Sequence, residues 1–177
     1  MQTGKEPEVE IRDSLVHGVV GGLLAGALAA VWFLVVDLSA GEPLRTPSAL
    51  GSALFGAQDA TRLGGPVALY TVLHFATFAA LGLATALFLR STGLTPGWML
   101  GVVFGIVVLN GVHYVGLLVA DQALLGVLPW PHVVGANLAA GVGLMTYLHR
   151  TAGASGPLGP ETLRYHPILL EGLEVGL

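Results

Sequence analysis

Six histidines stand in a chain of 177 residues that has no cysteine, and two of them, His74 and His113, lie well away from either end of long uncharged runs. Neutral imidazole donates one hydrogen bond and accepts another, and it is a common metal ligand. Other polar residues share the neighbourhood. At 100° per residue, Tyr70, Thr71, His74, Thr77 and Thr85 fall along one side of a helix, and Asn110, His113 and Tyr114 along one side of another. Asn137 stands in a further uncharged run.

Three chemistries suit this set. The groups can bond one another across helices and set the packing. His74 and His113 can serve as the two axial ligands of a b-type haem, with Gly82, Gly111 and Gly116 leaving room for the macrocycle. The cluster Tyr70, Thr71, Asn110, Tyr114 and Asn137 can hold a quinone, a lipid headgroup or an ion. No cofactor is required by the sequence, and haem b is the one that the histidine pair suits. Of the remaining histidines, His17, His149 and His166 are read as exposed at the inner interface or in the tail.

The elements that would position these residues follow from where charge is missing. Only 10% of the chain is charged and 54% is apolar, against roughly 25% charged in an ordinary soluble domain. Leu15–Val36, Pro66–Leu89, Gly97–Ala120 and Pro131–Leu148 contain no charge at all. Each run is about 18 to 24 residues, enough for a helix to cross a hydrocarbon core ~30 Å thick. The expected fold is all-α. It is a polytopic membrane protein with four transmembrane helices in an antiparallel bundle and a short amphipathic interfacial helix in the first loop. The expected organisation is a polar N-terminal segment over 1–14, the transmembrane domain over 15–150 and a cytoplasmic tail over 151–177. The first run is too long for the h-region of a signal peptide, and Glu6, Glu8 and Glu10 crowd its head, so it is read as a retained helix.

Orientation follows from the basic residues. With the N-terminus inside, the inner segments hold Lys5, Arg12, Arg90, Arg150 and Arg164, and the outer loops hold Arg45 and Arg62. The excess places both termini on the cytoplasmic side. Trp98 and Trp130 then mark opposite interfaces. At 1.5 Å per residue, His74, His113 and Asn137 share a depth ~10 Å below the outer edge, with Asp37, Asp121 and His132 at the rim above. In the first loop, Thr46-Pro47 reads as N-cap and first helical residue, Ala49, Leu50, Ala53 and Leu54 supply the apolar stripe, and Gly56 closes the helix. That helix reads as a connector in the headgroups or a lid over what lies beneath. The short turn Ser91–Pro96 predicts that the second and third helices are adjacent, with the third at the centre.

Small residues four apart let helices approach in lipid, where packing rather than hydrophobicity drives association. Gly18, Gly22, Gly26 and Ala30 form one such ridge, Gly97, Gly101 and Gly105 a second, and Gly135, Ala139 and Gly143 a third. The expected partners are the lipid bilayer and other membrane subunits or a second copy. Net charge is −4 with no basic block, so no nucleic acid is expected. No H-E-x-x-H, G-x-S-x-G or P-loop motif is present, which argues against an enzyme. No Asp, Glu, Lys or Arg interrupts the four runs, which argues against proton-coupled transporters and voltage sensors. The sequence reads as a bacterial inner-membrane protein acting as a structural or accessory subunit. The alternatives are a haem- or quinone-binding electron-transfer subunit and a small channel or carrier.

Overall fold

The computed structural model describes residues 7–55, 65–120 and 128–155. Among them there are helices and no strands. In chain order these are α1 (Pro7–Ser39), α2 (Arg45–Phe55), α3 (Gly65–Thr92), α4 (Trp98–Val103), a π-helical segment (Phe104–Leu109), α5 (Asn110–Ala120) and α6 (Trp130–Ser155). From α4 to α5 the helix is continuous and forms one rod.

Local chemistry sets the ends. Pro7, Pro66 and Pro131 stand in the first turn of α1, α3 and α6, where a missing N–H costs nothing. Beyond α1 and α3 the chain turns through Gly41 (φ 74°) and Gly93 (φ 68°), the left-handed conformation that glycine adopts freely. Helix α2 begins at Arg45, one residue before the expected cap, so Thr46 lies inside its first turn. Gly56, expected to close it, lies outside the described residues, as do Asp121 and His166.

Three helical stretches are long and apolar enough to cross a membrane: Ile11–Ser39, Gly65–Thr92 and Trp98–Val119. The fourth uncharged run folds as the 26-residue α6, and its composition is more mixed, with His132, Asn137, Thr146 and Tyr147 among small residues. Its position explains why. Val133, Ala136, Ala140, Leu144, Met145 and Leu148 of α6 are all buried and form much of the core with Ala25, Ala29, Ala86, Leu89 and Leu109. A helix enclosed by protein need not present an apolar surface all round. The other rods do present one: Val72, Val115 and Val119 are among the large apolar side chains left exposed, Val119 at 83%.

The helices pack in the order α3, α1, α6 and the α4–α5 rod, and α2 lies on α3. This corrects two expectations. The second and third uncharged runs, α3 and the α4–α5 rod, do not pack backbone to backbone, and α1 and α6 rather than the α4–α5 rod are central. The connection Gly93–Gly97 is short but non-helical. Five extended residues reach up to ~18 Å, wide enough to straddle the helices between.

Glycine makes each tight seam. A Cβ on Gly18 would stand 2.9 Å from the Leu83 Cα, one on Gly22 would strike the Phe78 carbonyl, and one on Gly26 would meet the Phe78 side chain at 3.0 Å. The first ridge therefore packs on α3, and Gly82 of α3 answers it from the other side. In the second ridge, Gly101 and Gly105 lie against α6, where a Cβ would come within 2.8 Å of the Gly141 carbonyl oxygen and 2.6 Å of that of Asn137. Gly97 meets nothing within 4 Å. The third ridge meets side chains rather than backbone. Gly135 and Gly143 receive Trp32 and Leu28 of α1, while Gly141, outside that ridge, makes the close approach to the rod.

Candidate functional site

Because α3 and α5 stand apart, a cleft remains between them, with a cavity of about 250 Å³. Successive turns of α3 supply Tyr70, His74, Thr77 and Phe78 to one wall, and the α4–α5 rod supplies Leu109, Val112, His113 and Gly116 to the other. Asn137 of α6 completes the lining, and Leu50 and Leu54 of α2 reach it from the loop side. Leu50 is 3% exposed and clusters with Leu117, Tyr70 and Leu128. The amphipathic helix of the first loop thus packs over the cleft.

Four of the residues singled out in the sequence, Tyr70, His74, His113 and Asn137, meet at this cavity. Asn110 stands behind it. Its side-chain amide donates to the carbonyl oxygens of Gly105 (2.9 Å) and Ile106 (3.2 Å), and its oxygen accepts from Asn137 Nδ2 at 3.1 Å. The widened π turn alters the carbonyl ladder, and within a membrane such groups must be met internally. Asn110 meets them and ties the rod to α6. Thr71 and Tyr114 do not line the cleft. Thr71 is exposed and donates to the Val67 carbonyl at 2.8 Å, and Tyr114 lies edge-on to the His113 ring at 5.4 Å between centroids.

The two histidines are placed unalike. His74 Nε2 is 2.9 Å from the Gly26 carbonyl oxygen of α1. A carbonyl only accepts, so Nε2 carries the hydrogen, and Phe75 and Phe78 pack around the ring. His113 Nε2 is buried and has no hydrogen-bond partner among the described residues. Buried polar atoms are nearly always satisfied, so an orphan that lines a cavity stands out.

These positions do not fit a bis-histidine haem. The His74 Nε2 is directed at α1, and Gly82, counted on to make room, is filled by Gly18 and Gly22. No group of three or more His, Asp or Glu side chains among the described residues is placed to hold a metal ion.

A second cavity of about 230 Å³ lies between α1 and α3 beneath the start of α2. Tyr70 and His74 line both cavities, and Thr71 lines this one. Here the structure adds what the sequence reading missed. Asp37, expected at the rim, is 3% exposed. Its carboxylate accepts from the Thr46 N–H and the Thr46 hydroxyl, both at 2.8 Å, and so caps α2 from the end of α1. The i to i+9 separation crosses a loop, which local motif reading does not cover. His17 is likewise not exposed as expected: it is half-buried and shares a 3.2 Å hydrogen bond with Tyr147 of α6.

No family model, no curated protein and no solved structure matches this chain.

Proposed function

We propose that the chain is an integral membrane protein that crosses the bilayer four times, with α6 as the fourth crossing and both termini on the cytoplasmic side. Its uncharged runs and the basic residues flanking them support this reading, which suits a bacterial inner membrane. In that membrane it serves as an accessory subunit that holds a neutral amphiphile, of the quinone class, in the cleft between α3 and α5.

One observation carries the ligand reading: His113 Nε2 is a buried, unsatisfied polar atom on the wall of an apolar cavity. Small-molecule sites have this composition, mostly apolar with a few polar groups that orient the ligand. Among the described residues no Lys, Arg, Asp or Glu lines the cleft, so a neutral carbonyl or hydroxyl head suits it better than a phosphate. The rings of Tyr70, His74 and Phe78 offer flat surfaces to a planar head, and the gap between α3 and α5 gives an apolar tail a way to lipid. On this reading the cleft binds its ligand on behalf of a partner membrane protein or a second copy.

Titration of the detergent-solubilised protein with a short-chain quinone analogue tests the reading. His113→Ala removes one buried hydrogen bond, worth ~1–3 kcal/mol, and should weaken binding by roughly 5- to 150-fold. His113→Gln should restore part of the affinity. Equal affinity in His113→Ala, or no saturable binding, sinks the proposal.

A further inference from the structure

The second cavity does not depend on the quinone reading and has the opposite electrostatics. Its walls are apolar and aromatic, with Phe33 and Leu34 of α1 opposite Tyr70, His74 and Phe75 of α3, and one acidic side chain, that of Asp37, lines it. Ionisable side chains within membrane-spanning helices are rare and nearly always paired. Asp37 lies inside the candidate span Ile11–Ser39 and is 3% exposed. Its two hydrogen bonds both come from Thr46. A carboxylate has about four lone-pair positions, so roughly two remain. The nearest guanidinium in sequence, that of Arg45, pairs instead with Glu42 at 3.2 Å on the surface. Among the described residues no cation meets Asp37.

We propose that this cavity, walled by α1 and α3 beneath the first turn of α2, binds a small lipophilic organic cation whose charge is met by Asp37. Aromatic faces attract cations, most strongly where water is excluded, and the cavity sets Phe33, Tyr70 and Phe75 around the space beside the carboxylate. The Thr46 hydrogen bonds fix the carboxylate and hold α2 above it. A quaternary or tertiary ammonium with an apolar body fits this arrangement. A hydrated metal ion does not, because apolar and aromatic groups make up most of the wall.

Benzyltrimethylammonium is a suitable probe, because neopentylbenzene has the same shape without the charge. Calorimetric titration of the full chain in detergent should show saturable binding of the cation, and neopentylbenzene should not displace it. Asp37→Asn should weaken binding at least tenfold. Absent binding, displacement by the neutral isostere, or undiminished affinity in Asp37→Asn each overturns the proposal. Should Asp37→Asn fail to fold, the isostere comparison decides alone. Neither arm involves His113, so a failure here is distinguishable from a failure at the cleft.

Discussion

Asn110 makes the hydrogen bonds that matter most inside the α4–α5 rod. Its amide meets two carbonyls at the π turn while its oxygen receives Asn137. Side-chain hydrogen bonds between membrane helices contribute ~0.6 kcal/mol on average and up to ~1.7. A double-mutant cycle with Asn110→Leu and Asn137→Leu should therefore give a coupling near the upper end, because both amides are buried and bond each other directly. Denaturation in mixed micelles measures it, and a coupling of zero would show that the two amides act independently. Asn110, His113, His74 and Asn137 were all identifiable in the sequence, because a polar residue in an uncharged run is conspicuous. Their partners were not. His74 was paired with His113 by depth, yet its Nε2 bonds the backbone of α1, and a backbone acceptor leaves no trace in residue type.

The seams between helices act at the scale of elements. A side chain at Gly22 or Gly101 would collide with the backbone of α3 or α6, respectively, whereas Gly97 has open space and Leu23 is exposed. Overpacking in cores commonly costs ~1–3 kcal/mol, and backbone cannot move aside as a side chain can. Gly22→Leu and Gly101→Leu should thus lower thermal stability in detergent clearly, while Gly97→Leu and Leu23→Phe should leave it nearly unchanged. Loss on Gly97→Leu equal to that on Gly101→Leu would remove the seam argument. Helix α2 is held by Asp37 at its start and Leu50 along its length. Burying a leucine and then cutting it back costs ~2–5 kcal/mol in cores. Leu50→Ala should release α2, seen as faster thiol labelling of a cysteine placed at the half-buried Ser52. Unchanged labelling would mean that Leu50 does not hold the lid.

Orientation belongs to the whole molecule. With four crossings and the N-terminus inside, the α1–α2 turn lies outside and the α3–α4 turn inside. A single cysteine at the exposed Ser39 should react with an impermeant reagent on intact cells, and one at the exposed Ser91 only after permeabilisation. The chain has no native cysteine to confuse the result. The reverse pattern would turn the protein over and move both cavities to the inner leaflet.

The sequence by itself determined the class of the molecule, because charge is missing over lengths that suit a membrane, and it located the polar residues that face inward. It also identified most of the glycines that bring helices together, since in an apolar segment small residues four apart form a continuous groove. Only the tertiary structure decided which groove meets which helix. Gly135 and Gly141 are both small residues of α6, but one receives Trp32 and the other the Gly101 backbone, and spacing alone cannot tell the two faces apart. The order of helices was likewise hidden. A short loop limits how far two helices can stand apart without requiring them to touch, and here α1 and α6 occupy the space between. That separation creates the cleft, and the burial of Asp37 beneath α2 depends on a contact across a loop that no local pattern encodes.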